Sequence, residues 1–151
     1  MTACALEFTD DLEEAGRRHA AGYAFTIGAM GSADTNFYNR AFGRQGFADQ
    51  VAEVERLWRA GDRDAARAGV PIEIGIGTNL LGTDAEVAAR LRLLRAQGIT
   101  AVRVGSQGDT HHERLDNLAR FLDIVRDVER DAGQDLDKRQ DPDKNSDRET
   151  V

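Results

Sequence analysis

The sequence predicts an α/β fold, rich in helix and with two parallel strands. Three observations lead there. Two short runs, 2–8 and 99–104, are apolar or β-branched and are bounded by helix-start or glycine signals. Most of the chain between and after them carries apolar residues at helical spacing. The stretch 83–131 reads helix, strand, helix, the pattern of a parallel sheet covered by helices. A chain of 151 residues suits one domain with a core of ordinary size.

In order along the chain, 2–8 reads as a buried strand that ends at Thr9-Asp10-Asp11, with Thr9 or Asp10 capping the helix that follows. That helix spans about 11–30, with Leu12, Ala15, His19, Tyr23, Thr26 and Met30 at helical spacing and Gly31-Ser32 as its stop. A short helix over 36–47 turns Phe37, Ala41 and Phe42 inward. A clearer one over 47–60 buries Val51, Val54, Leu57 and Trp58 and ends at Gly61. A further short helix covers 62–68 and stops near Gly69. The stretch 70–76 reads two ways: its alternating isoleucines fit a strand, whereas Pro71 fits the first position of a helix.

Thr83-Asp84-Ala85-Glu86 is a capping box, in which hydroxyl and carboxylate each accept a free backbone N–H. The helix behind it buries Val87, Leu91 and Leu94 and closes at Gly98. The run 99–104 reads as a buried parallel strand. Thr110-His111-His112-Glu113 is a second capping box, opening a helix with Leu115, Leu118, Leu122, Val125 and Val128 inward. From Gly133 the chain is almost wholly polar, so residues 133–151 read as a disordered tail after a folded unit of 1–132.

Composition excludes several function classes. A net charge of -7 argues against nucleic acid, whose phosphates need a basic surface. Cys4 is the single cysteine, which rules out an intrachain disulfide and reads as a buried thiol in a reducing cytoplasm. The first residues lack a basic region followed by an apolar stretch, so no signal peptide is expected, and no apolar run approaches the roughly 20 residues that span a bilayer.

Gly105-Ser106-Gln107-Gly108-Asp109 is the candidate site, with Gly105 and Ser106 as candidate cofactor-binding residues. It leaves the C-terminal end of a parallel strand and enters a helix N-terminus, where free amides and the helix dipole favour an anion. An ordinary βα loop has the same appearance. His111 and His112 are adjacent and diverge on a helix, so no metal site is expected. His19 reads as a packed or surface residue. Asn36-Phe37-Tyr38-Asn39 reads as a capped corner, or as aromatics lining a pocket. Gly75-Ile76-Gly77 lies at no strand-to-helix junction and is not a phosphate loop. Nothing orders Ser, His and Asp into a triad, and no catalytic residue is assigned.

The ordered set Ala29-Met30-Gly31, Asn36-Phe37-Tyr38, Leu81-Gly82-Thr83 and Gly98-Ile99-Thr100 resembles the C-terminal part of luciferase-like flavin- or F-420-dependent oxidoreductases. The resemblance covers about residues 2–128. It implies a (β/α)8 TIM-type barrel, with 2–8 as the seventh strand, 99–104 as the eighth and the first six absent. It also implies hydride transfer with coenzyme F-420 or FMN on a small-molecule substrate in the full-length enzymes. The family's usual catalytic base and most contacts to the cofactor ring lie on the absent strands. The expectation is therefore a C-terminal fragment, inactive alone, which lacks its N-terminal half or forms a homo-oligomer. Two parallel strands cannot close a barrel and would leave edges unpaired. The rival expectation is a small, non-enzymatic, α-rich interaction module that pairs through uncovered helix faces.

Overall fold

A computed structural model describes residues 2–30 and 36–140. It is a helix-rich α/β structure around a small parallel sheet. Strand β1 (Thr2–Phe8) is central. It pairs in parallel with β2 (Leu80–Gly82) on one side and with β3 (Val102–Ser106) on the other. The sheet therefore has three strands in the order β2-β1-β3, not the two expected. The additional one, β2, is fully buried but too short to show a strand periodicity in sequence.

Strand β1 leads into α1 (Leu12–Ala21), capped by Asp11, whose carboxylate accepts the Glu14 N–H at 2.9 Å; the cap is thus neither Thr9 nor Asp10. Thr9 instead accepts the Asp11 N–H on its hydroxyl. The single helix expected over 11–30 is broken at Gly22 into α1 and α2 (Tyr23–Ala29), with the Gly22 N–H turned to the His19 carbonyl. The break lets the two pieces serve different neighbours. Helix α1 packs on α6 (Ile72–Thr78), and α2 packs on α4 (Ala48–Arg59). The expected stop at Gly31-Ser32 lies outside the described residues.

Asn36 caps α3 (Phe37–Phe42), and a wider π-type turn over Gly43–Phe47 leads into α4. Only Phe42 of the three residues expected inward is buried; Phe37 is 61% exposed. Asp62 caps α5 (Arg63–Ala68). The ambiguity at 70–76 resolves to helix α6, with Pro71 as its cap residue. Its isoleucines alternate with Glu73 and Gly75, but Gly75 is needed where α6 meets α1. A Cβ there would lie 2.1 Å from the Gly16 carbonyl oxygen and 2.7 Å from the Ala20 nitrogen.

Helix α7 (Asp84–Ala96) opens on the expected capping box: Thr83 N–H donates to Glu86 at 2.7 Å, and Glu86 N–H donates back to the Thr83 hydroxyl. Gly82 has φ 109°, and a Cβ on it would strike the returning Glu86 carboxylate at 2.3 Å. This is a position where glycine's freedom is used. Strand β3 begins at Val102, not at Ile99, because the Ile99 N–H is spent on the Leu94 carbonyl at the end of α7. Nor is β3 buried on both faces. It is an edge strand, with Arg103 and Gly105 exposed on one face and Val102 and Val104 half-buried on the other.

Helix α8 (His111–Gln140) runs on past Gly133, where a disordered tail was expected to begin; 141–151 lie outside the described residues. Its inward face is also turned from expectation. Phe121, Ile124 and Val128 are buried, Leu118 and Val125 pack beside them, and Leu115 and Leu122 are 49% and 51% exposed.

Two apolar clusters result. One joins Ala24, Ile27, Val51, Val54, Val70 and Ile74 among the helices. The other sets Leu6 and Leu80 of the sheet against Val87, Leu94, Phe121 and Ile124 of α7 and α8. Each fully buried aliphatic side chain contributes about 1.5–3 kcal/mol. Among the described residues no helix is long and apolar enough to cross a membrane.

Candidate functional site

In open α/β sheets ligands bind beyond the carboxyl ends of the strands, where neighbouring connections leave in opposite directions. Here that point lies between β1 and β3, because β2 and β3 flank β1 on opposite sides. The loops that meet there are 9–11 and 107–110.

Gly105 and Ser106 belong to the end of β3, not to the loop. The position of a Cβ on Gly105 opens onto empty space, so the face above it is uncovered among the described residues. The Ser106 hydroxyl is half-buried, with a long 3.4 Å contact to the Gln107 carbonyl. The loop beyond is held by its own chain. Gln107 N–H donates to the Leu6 carbonyl at 2.9 Å, and the carbonyls of Gln107 and Gly108 accept from Asn117 and Arg114. The second capping box also forms: Glu113 takes the N–H groups of Asp109 and Thr110 at 2.7 and 3.1 Å, and its own N–H donates to the Thr110 hydroxyl. The Asp109 and Thr110 amides, at the entry to the helix, are thus engaged by a carboxylate of the same helix.

A cluster that the sequence reading passed over stands on the face of β1 opposite α7 and α8. Alternation along β1 sends Leu6 into the core and Glu7 to the opposite face. There the Glu7 carboxylate is bonded by the Arg18 guanidinium and lies 2.8 Å from His19 Nε2. The Glu7 and His19 side chains are each only 17% exposed. Arg18 and His19 lie on the last turn of α1, so the first βα unit alone assembles this half-buried group. Its signal in the sequence was a glutamate in an otherwise apolar strand. Beside it on the other face, Arg120 lies over the Phe8 ring at 4.1 Å and donates to Asp84 at 2.7 Å, clamping α8 to β1 and α7.

The other sequence candidates take structural roles. Asn36 is buried and caps α3 with its side-chain oxygen while its amide donates to the Ile27 carbonyl at 2.6 Å. Phe37 and Tyr38 stack edge to face on the surface. His111 and His112 are exposed, His112 near Asp116 at 3.5 Å. Among the described residues no three His, Cys, Asp or Glu side chains gather closely enough to hold a metal ion. Asn79, unremarked in sequence, is buried and ties α6 to β1 by accepting the Ala5 N–H at 2.8 Å and donating to the Gly75 carbonyl. Burial pushes the Cys4 thiol above its ordinary pKa.

A groove of about 720 Å³ lies at the opposite end of β3. It is apolar and runs between the end of α7 and Phe121, Leu122 and Val125 of α8. A flavin or deazaflavin requires an enclosed ring site with a nearby phosphate site. This groove does not fit one: it lies at the amino end of the strands, away from the loop at their carboxyl ends, where Glu113 already holds the Asp109 and Thr110 amides.

Among known proteins, the chain is 31% identical over 81 residues to a Mycobacterium tuberculosis protein named as a candidate coenzyme F-420-dependent oxidoreductase. The match takes in 54% of this chain and 23% of that protein, so it spans less than a quarter of the relative's length. No family model matches, and no solved structure does. The chain is a distant, partial homologue of that protein.

Proposed function

We propose that this chain is the C-terminal part of a luciferase-like oxidoreductase barrel, from enzymes that use coenzyme F-420 or FMN for hydride transfer to a small-molecule substrate, and that it is inactive alone. The observation that carries this reading is the direct parallel pairing of β1 with β3. On the resemblance these are the seventh and eighth barrel strands, which are neighbours in such a barrel. Strand β2 then takes the far edge of β1, where the sixth strand would stand. The partial relation to the mycobacterial protein supports the same reading. The reading is of a cytoplasmic protein whose catalytic half is elsewhere.

The sheet face opposite α7 and α8, exposed at Ala3, Arg103 and Gly105 and crossed by the end of α1 at Glu7, fits this reading. In a closed barrel, Ala3, Ala5, Glu7, Arg103 and Gly105 would face the interior, and α7 and α8 would cover the outside. The test is a titration of the purified chain with FMN and with coenzyme F-420, followed by fluorescence and by hydride-transfer assay. The expected result is no saturable binding at micromolar concentrations and no turnover. Stoichiometric binding with turnover overturns the reading.

A second reading, a non-enzymatic interaction module, is favoured by the exposed Phe25, Phe37, Leu115 and Leu122. A monomer that binds no apolar dye argues against it.

A further inference from the structure

The chain divides into two bodies, and we infer that one of them is a hinged cap. The helices of residues 12–78 swing on and off the sheet and are held down by a latch of Glu7, Arg18 and His19. The inference goes beyond the proposed function and does not depend on cofactor chemistry.

The apolar clusters mark the division. Every buried member of the first, from Ala20 to Ile74, lies in the segment between β1 and β2. Every buried member of the second lies on the three strands, on α7 or on α8. No side chain belongs to both, so neither body completes the core of the other. The direct apolar contact between them is narrow. Helix α1 touches the sheet at β2, where Leu81 is buried on the face it shares with Glu7. Bodies joined by an interface that is neither large nor mainly apolar move relative to one another.

The chain crosses between the bodies twice, over 9–11 and at Asn79, and both crossings lie outside helix and strand. They are neighbours in space. The Asn79 side chain accepts the Ala5 N–H, and Thr9 N–H donates to the Gly82 carbonyl at 3.2 Å. Two adjacent crossings of this kind define one hinge axis. Ties close to that axis survive a small rotation: Asn79 with the Gly75 carbonyl, and Arg90 with the Gly77 carbonyl. The tie at Glu7 does not. Arg18 and His19 stand about 10 Å along α1 from its start, so a small rotation lifts them off the Glu7 carboxylate.

The latch is made of polar groups that water can take up when it opens, and its release uncovers neither apolar cluster. Opening exposes the face of β1 at Glu7, beside the point between β1 and β3 where the strand ends meet their loops. The cap thereby gates access to that point.

The test is pulsed electron dipolar spectroscopy on the full chain, with spin labels at exposed positions and Cys4→Ala throughout. Asp64→Cys with Asp116→Cys sets one label on each body, on α5 and α8. Leu93→Cys with Asp116→Cys sets both on the sheet body, on α7 and α8. The expected result is one narrow distance within the sheet body. Between the bodies it is a main distance with a minor, longer component. Glu7→Gln and His19→Ala break the latch from opposite sides. Each should raise the ratio of the longer component to the main one roughly tenfold, as the loss of one charge-assisted hydrogen bond does. Circular dichroism checks that both variants fold, and the unaltered distribution decides the matter if neither does. One narrow distance between the bodies of the unaltered chain overturns the inference, and so does an unmoved ratio in a folded variant. Equal broadening of both label pairs overturns it as well, because the chain is then loose throughout and not hinged.

Discussion

Replacing Gly75 by alanine sets two physical rules against each other. Helix propensity alone favours the change by about 1 kcal/mol, because Gly75 lies inside α6. Packing opposes it. The new Cβ would lie 2.1 Å from the Gly16 carbonyl oxygen and 2.7 Å from the Ala20 nitrogen. Both obstacles are backbone atoms of α1, so no rotamer change relieves them and the two helices must separate. Overpacking of this kind costs up to about 3 kcal/mol, which leaves a net loss of about 2 kcal/mol. The separation also pulls on two ties between these helices and β1: Asn79 with Ala5, and His19 with Glu7. With a urea slope of about 2 kcal/mol/M, the unfolding midpoint should fall by about 1 M. The assay is urea denaturation followed by circular dichroism, with the His19 imidazole resonances as a local report. An unchanged or raised midpoint would refute the close approach of α1 and α6 and leave propensity as the stronger term.

Phe121→Ala should cost about 3–5 kcal/mol, whereas Leu115→Ala should cost far less, since Phe121 is buried and Leu115 is half exposed; equal losses in urea unfolding would mean that α8 faces the other way. Glu86→Gln keeps an acceptor for the Thr83 N–H but removes the negative charge at the α7 N-terminus, and should cost about 0.3–1 kcal/mol. The Thr83 N–H, followed by its hydroxyl, holds the Glu86 carboxyl below its ordinary value of 4.5. Its contribution is therefore present above that pH and is lost as pH falls through the lower folded value, so wild type and variant should converge in stability in acid. Cys4, buried with a raised pKa, should react with a thiol reagent at neutral pH only when the chain is unfolded; rapid labelling of the native protein would contradict its burial.

What was readable in advance is local chemistry. Both capping boxes, the Gly61 and Gly98 helix ends and the strand 2–8 depend on residues a few positions apart, and all stand where expected. The misreadings share a different cause. Strand β2 is three residues long and owes its existence to the edge of β1, far away in sequence. The register of α8 depends on which side the sheet lies, and its leucines fit either side until Phe121 and Ile124 are seen against Leu6 and Leu80. The candidate site was half visible. The loop after β3 was correctly placed at a strand end, but Glu113's engagement of its amides depended on how the loop folds. The cluster of Glu7, Arg18 and His19 was missed because it needs the crossing angle of α1 over β1.

The sequence by itself determined the helix-rich α/β class, most helix ends, and the order of motifs that resembles an oxidoreductase family. These follow from side-chain periodicity and from hydrogen bonds between near neighbours. Only the tertiary structure decided that β1 stands between β2 and β3, which sheet face stays open, and that the edge of β3 and two leucines of α8 are left uncovered. Those outcomes depend on contacts between residues distant in the chain, where burial and backbone pairing outweigh local preference.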